Sequence, residues 1–293
     1  MVLAVLAAMV AAFLYAISAV YQQEEAAAQP QERALRPSLL VRLIRNPKWL
    51  GAFALDWSGY VAEAIALGLA TIVIVIPLLQ SGLLFALFIE ARRTHERLHR
   101  PDWIAAVVLC VGLTGFLVTA NPSGGIDRPS FAAWLPWLIG LGSAAVVCAI
   151  IGRLSGSTVR AVAWGLAAGC LFGMTGPLTK TIVTLLSDGA LLTILKSWEL
   201  YALIAFSIVG MLFNQSAFQA GNLPASLPAM SVAIPVFASA IGLWVYQEDV
   251  AIANWVDAAI VTAFGCAMII GVWILARREA LRPGRLQPTT PTP

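Results

Sequence analysis

Nine apolar segments of about 20 residues, separated by short polar connections, dominate this sequence. They cover residues 2–21, 49–68, 70–91, 103–120, 132–152, 161–185, 198–219, 224–246 and 255–276. A helix needs about 20 apolar residues to cross the hydrocarbon core of a bilayer. Only 11% of the residues are charged, against roughly 25% in a typical soluble domain. The sequence therefore predicts an all-α, polytopic membrane protein with about nine transmembrane helices, the second and third being separated by a short turn after Gly68.

The basic residues lie mainly in alternate connections, which predicts an orientation. Of the 18 Lys and Arg residues, 15 lie in the connections 21–48, 92–102 and 153–160 or in the C-terminal tail. Arg128 and Lys196 lie in the remaining connections, and Lys180 lies inside the sixth segment. Because cytoplasmic loops carry an excess of Lys and Arg, we predict a multi-pass cell-membrane protein, in the inner or plasma membrane. Its N-terminus is outside and its C-terminus is cytoplasmic.

Several classes of function are not expected from this sequence. No basic stripe with interleaved aromatic residues is present, so no nucleic-acid partner is expected. The four cysteines lie in apolar segments without metal-binding spacing, and no nucleophile–base arrangement suggests an enzyme. We expect no cofactor, and a metal site is neither predicted nor excluded. The expected partners are membrane lipid and a small-molecule or cation substrate, and a homodimer is compatible with the sequence.

An internal repeat relates the third and fourth segments to the eighth and ninth. The matching residues, in order, are Pro77, Glu96, Trp103 and Gly112 in the first copy and Pro228, Glu248, Trp255 and Gly265 in the second. Because the copies lie five segments apart, the second is inverted relative to the first, an arrangement found in secondary transporters. We divide the chain into a first half of four spans (1–120), a second half of five spans (121–279) and a disordered cytoplasmic tail (280–293).

Four stretches resemble the drug/metabolite transporter superfamily, including its EamA-like members and especially its NIPA-type magnesium transporters. They read "YAISAVYQQEE", "KWLGAFAL" running on to "YVAEAIALGLATIVIVIPL", "HERLHRPDW", and "FNQSAFQAGNLPASLPAMSVAIPVFASAIGLWVYQE". Their order and spacing cover nearly the whole chain. The resemblance implies a nine-helix transporter. In the second helix, Glu63 falls near the family's Asn and Tyr60 near its Glu or Gln.

Two carboxylates, Asp56 and Glu63, interrupt the apolar second segment. Seven residues correspond to two helical turns, or about 10.5 Å, so both side chains share one helix face with Tyr60. Acids inside a membrane usually face the bundle interior or a water-filled path. They predict a cation or proton site in which at least one acid ionises during transport. The alternative is a structural pair of hydrogen-bonded acids.

Further polar residues inside the segments extend this predicted pathway. They are Gln80, Thr175, Lys180, Asn214 and Gln215. Depth in the membrane predicts a Glu63–Lys180 ion pair, with snorkelling of Lys180 to the interface as the alternative. The two amides are either pathway residues or hydrogen-bonding contacts between helices. Glu248 lies at a helix end and is expected to be solvated.

The function predicted from these patterns is secondary transport of a small solute by alternating access through a central cavity. No ATP-binding P-loop motif is present, so any energy would come from gradients, or the flux runs downhill. Two alternatives stay open. One is a divalent-cation transporter of the NIPA type, because Mg²⁺ is bound through oxygen ligands. The other is a flippase for a lipid-linked head group.

Overall fold

In a computed structural model, the chain is almost entirely helical. The structure describes residues 1–27, 35, 37–94, 100–189, 191–220, 223–250 and 252–280. The first helices are α1 (Val2–Ala27), α2 (Pro37–Ile44), α3 (Pro47–Leu69), α4 (Ile72–Leu79), α5 (Gly82–Thr94) and α6 (Arg100–Ala120). The predicted repeat residue Glu96 and positions 281–293 of the predicted tail lie outside the described residues.

The second half of the described chain contains six more helices. They are α7 (Phe131–Leu154), α8 (Ser157–Ser187), α9 (Leu191–Lys196), α10 (Trp198–Gln219), α11 (Leu223–Trp244) and α12 (Trp255–Ala280). Six helices of the described chain, namely α1, α6, α7, α8, α10 and α12, contain segments long and apolar enough to cross a membrane. The chain is thus compatible with a multi-pass membrane protein.

The third apolar segment is not one continuous helix. The connection Ala70–Thr71 follows α3 and agrees with the turn predicted after Gly68. A second break separates α4 from α5, at Gln80 and Ser81. Pro77 lies inside α4, where its missing N–H and its ring disturb the preceding turn and not the residues that follow it. At the break, the N–H of Gln80 donates to the Pro77 carbonyl at 3.0 Å. This three-residue spacing is that of a 3₁₀ turn, which is tighter than an α-helical turn.

Helices α6 and α12 pack with their backbones in close contact. Their contacts pair Leu109 with Gly271, Gly112 with Met268, and Gly115 with Phe264. Since the numbers rise on one helix and fall on the other, the two helices are antiparallel. A Cβ at Gly112 would lie 2.3 Å from the backbone nitrogen of Met268. Small residues permit this approach, as they do between membrane helices.

Helix α8 lies at the centre of the bundle and packs against α3, α7, α10 and α11. It is the most deeply buried of the long apolar helices. Gly169 and Gly173 face α11, where added Cβ atoms would lie 2.5 Å from Ala233 and 2.9 Å from Phe237. Polar residues on α8 are therefore held against other helices, which places Thr179 and Lys180 in the protein interior.

Candidate functional site

A partly buried cluster of acid and hydroxyl groups joins α1, α3 and α8. The Tyr15 hydroxyl on α1 donates to Glu63 Oε2 on α3 at 2.5 Å. One turn earlier on α3, the Tyr60 hydroxyl lies 2.7 Å from Thr179 Oγ1 on α8. Because Thr179 donates its own hydrogen to the Thr175 carbonyl, Tyr60 is the donor of that bond. The predicted Tyr60–Glu63 face therefore contacts two neighbouring helices.

Asp56 is at one end of a chain of hydrogen bonds that reaches α10. Gln215 donates to Gln22 Oε1 at 3.2 Å, and Gln22 donates to Ser18 Oγ at 2.7 Å. Ser18 Oγ lies 3.3 Å from Asp56 Oδ1 and 2.8 Å from the Ala52 carbonyl. One hydroxyl hydrogen is available for these two acceptors, so the Ser18 bond can alternate between them. The structure thus connects two predicted site residues, Asp56 and Gln215, through α1.

The predicted Glu63–Lys180 ion pair is wrong, because Lys180 pairs with Glu248. Lys180 Nζ lies 2.7 Å from Glu248 Oε1. The Glu248 side chain also accepts the N–H groups of Ile72 at 2.7 Å and Val73 at 2.9 Å. These groups are the free donors of the first turn of α4, where the Thr71 side chain makes no capping bond.

Glu248 is therefore buried, not solvated as its position after a helix suggested. Its exposed fraction is 4%, and that of Lys180 is 9%, so Lys180 does not snorkel to the interface. Burial is tolerated because both carboxylate oxygens accept hydrogen bonds and the opposite charge lies in contact. The chain after α11 bends inward here, placing Glu248 over the N-terminus of α4.

Tyr246 holds the same region together. Its hydroxyl donates to the Pro177 carbonyl and accepts from Thr181 Oγ1 at 2.6 Å. The Lys180 ammonium lies 5.7 Å from the Tyr246 ring centroid, within the range of a cation–π contact. We call the group Ile72, Val73, Lys180, Tyr246 and Glu248 the capped end of the bundle.

The other predicted pathway residues lie on α8, at the break between α4 and α5, and on α10. Thr175 donates its hydroxyl to the Phe172 carbonyl of its own helix at 2.8 Å. Gln80 is buried at the break between α4 and α5. Asn214 Oδ1 and Gln215 Oε1 are buried without a hydrogen-bond partner among the described residues, as are both polar atoms of the unpredicted Gln219. These amides have unused hydrogen-bonding capacity inside the bundle.

The arrangement of Asp56 and Glu63 favours a proton or a cation bound at one carboxylate. It does not favour one ion bound by both carboxylates. Asp56 and Glu63 are two turns apart, about 10.5 Å along the helix, whereas Mg²⁺–oxygen bonds are about 2.1 Å long. No group of three His, Cys, Asp or Glu side chains that could hold a metal occurs in the described ranges. A divalent ion bound by both acids would require rearrangement.

The sequence prediction missed the contribution of α1. Tyr15, Ser18 and Gln22 are spaced three and four residues apart, so they lie on one helix face. That polar spacing within an apolar segment was a usable signal. For Glu248, the signal was its place in the predicted repeat, which marked it as more than a surface acid.

The chain is 30% identical over 288 residues to the uncharacterized protein Cgl0250/cg0304 of Corynebacterium glutamicum. The match covers 96% of this chain and 97% of that protein. No family model matches the chain, and no solved structure matches it. The chain belongs to the same family as Cgl0250/cg0304, and the match extends over almost the full length of both proteins.

Proposed function

We propose that this protein is a secondary transporter of the drug/metabolite superfamily type, with nine transmembrane helices, that moves a small solute by alternating access. The observation that carries the proposal is the pair of acids on α3, contacted by polar groups from α1. Each acid inside the hydrocarbon costs roughly 2.5–3.5 kcal/mol on insertion scales. Two such residues on one face are more than a single structural contact between helices requires.

The helix directions are compatible with an inverted repeat of the kind found in alternating-access transporters. Contacts between α1 and the α4–α5 region pair Met9 with Ser81, Ala12 with Gly82, and Phe13 with Phe85. Those between α8 and α11 pair Gly169 with Ala233 and Gly173 with Phe237. Both pairs of helices run parallel, as spans separated by one other span do in an up-and-down bundle, and this agrees with a repeat in which the first and third spans correspond to the sixth and eighth. In the proposed repeat, the antiparallel α6 and α12 are the fourth and ninth spans and would exchange places.

The capped end provides the closed side that an alternating-access cycle needs. Lys180 on α8 and the N-terminus of α4 both bind Glu248, so these elements separate only if the buried ion pair opens. The backbone contacts of Ser123 with Asp249, and of Ile126 with Tyr246, add the 121–130 connection to the same end. On the orientation predicted from the basic residues, this end faces outside.

The proposed pathway runs from the acids toward the opposite end of the bundle. Gln215 is completely buried, and its unpaired Oε1 provides a hydrogen-bond acceptor in addition to Asp56. A small polar or cationic solute could replace bonds within the Ser18–Gln22–Gln215 chain while an acid exchanges a proton. The Mg²⁺ alternative requires Asp56 and Glu63 to approach one another. A screen that includes Mg²⁺ can therefore distinguish it from transport of an organic solute.

A ligand-stabilisation screen tests this proposal. The purified full chain would be heated with Mg²⁺, amino acids, nucleosides or cationic dyes at two pH values, and its melting temperature recorded. A solute that stabilises the protein would then be measured in counterflow across proteoliposomes. We expect a stabilising organic solute that exchanges across the membrane. Stabilisation and flux with Mg²⁺ alone would favour the divalent-cation alternative, and binding without exchange for any solute would contradict transport.

A further inference from the structure

A groove of about 310 Å³ opens on the side of the bundle between α7, α8 and α10. Its volume lies within the range of ligand sites in proteins. Its lining includes Gly142, Ala145, Ala149 and Arg153 of α7, Leu171 of α8 and Phe213 of α10. The small α7 residues leave the space, since a Cβ added at Gly142 would meet no atom within 4 Å.

The groove is apolar along its length and carries one cation at its end. Arg153 lies in the last turn of α7 and is exposed. The nearby Arg160 is already engaged, because it donates to the carbonyls of Gly152 and Ser155 at 3.1 Å each. In the part of the chain that the structure describes, no ion pair involves Arg153. Its guanidinium is thus available to an anion from outside the protein.

We propose that this groove binds one anionic glycerophospholipid. An acyl chain lies along Gly142, Ala145 and Ala149, and the phosphate receives hydrogen bonds from Arg153. Basic pockets between membrane helices bind anionic head groups in this way, and the planar guanidinium matches phosphate geometry. The site is separate from the acid cluster and does not depend on the transport proposal.

A second copy of this chain fits the groove less well. In a twofold dimer whose axis is normal to the membrane, the same surface of each copy meets the other. The two α7 helices would then run parallel, and Arg153 would face its equivalent across the interface. Like charges facing one another in this way are unfavourable. A lipid phosphate at the same place would pair with the guanidinium.

Native mass spectrometry of the delipidated, detergent-purified chain tests the proposal. Phosphatidylglycerol or phosphatidylcholine would be added, and lipid retained per protein counted. We expect one retained phosphatidylglycerol molecule and weaker retention of phosphatidylcholine. R153Q should weaken phosphatidylglycerol retention about fivefold, the loss of one cationic contact, whereas R153K should preserve most of it. G142L should reduce the retention of both lipids by filling the groove.

G140L is the matched control for G142L. Gly140 lies on the same helix, and a Cβ there also meets no atom within 4 Å. Because it lies two residues before Gly142, it is on a different face of α7. Retention by G140L should equal that of the unmodified chain. Melting temperatures without lipid would verify that all variants fold. Equal retention of both lipids, unchanged retention in G142L, or a dimer that G142L converts to a monomer would each overturn the proposal.

Discussion

Lys180 donates a hydrogen bond to Glu248 at 2.7 Å, and both side chains are buried at the capped end of the helical bundle. The same carboxylate accepts two backbone N–H groups from the first turn of α4. One side chain therefore neutralises a buried cation and completes a helix terminus that the preceding Thr71 does not cap. This contact joins α8, α4 and the segment after α11.

Removing either member of this pair should destabilise the protein more than removing both. E248Q leaves a buried ammonium without its counter-charge, which costs about 3–5 kcal/mol. K180M leaves Glu248 with only its two backbone donors. The K180M/E248Q double variant removes both charges and should recover part of the loss. The melting temperature in detergent measures this cycle.

The matched control for that cycle is K196M, which removes a lysine that is exposed at the end of α9. Its melting temperature should stay close to that of the unmodified chain. Additive losses in the double variant would show that Lys180 and Glu248 do not interact energetically, contrary to the structure.

The contact between α6 and α12 should be highly sensitive to one methyl group. G112A would place a Cβ 2.3 Å from the Met268 backbone, and such overpacking typically costs about 1–3 kcal/mol. G140A adds the same methyl group where no atom lies within 4 Å, and the better helix propensity of alanine should leave stability unchanged or slightly higher. Equal melting temperatures for the two variants would contradict the close packing.

The proposed orientation predicts opposite labelling of two exposed positions. In a chain whose four cysteines are replaced, S38C on α2 should resist a membrane-impermeant thiol reagent in intact cells. A253C, between α11 and α12, should react. Both positions are exposed in the structure, so burial would not explain the difference. Permeabilised cells, in which both should react, provide the control, and the reverse pattern would invert the proposed topology.

Tyr15 and Glu63 should behave as a coupled pair. Y15F removes the hydroxyl donor of a buried carboxylate, which costs about 1–3 kcal/mol. E63M removes the acceptor itself, so the Tyr15 hydroxyl loses its partner. Once Glu63 is replaced, Y15F should cost less than it does alone. Melting temperatures of the two single variants and the double variant measure this coupling, and independent effects would argue against the hydrogen bond.

Helix positions followed well from the sequence, because apolar length and polar connections largely determine where membrane helices lie. The 198–219 segment matches α10, for example. The break at Gln80 and Ser81 was harder to place, since the nearest proline, Pro77, disturbs the helix before it and not after it. The local hydrogen bonds at Gln80 and Ser81 decide this, and their geometry has no distinct sequence pattern.

Contacts between distant residues were much less predictable. Lys180 was assigned to Glu63 because both were placed in the same membrane layer, but layer depth does not fix rotation about the helix axis. Glu248 reaches Lys180 only because the chain after α11 bends inward. Asp56 and Gln215 were both predicted as pathway residues, and the structure links them through Gln22 and Ser18 of α1.

The most direct test of the transport proposal is solute flux into proteoliposomes across a range of pH, using a solute identified by stabilisation. The unmodified chain and D188N, which removes an exposed carboxylate, should transport it with the same pH dependence. The D56N/E63Q double variant should fold, yet lose transport or its pH dependence. Unchanged flux at every pH in that double variant would contradict the account.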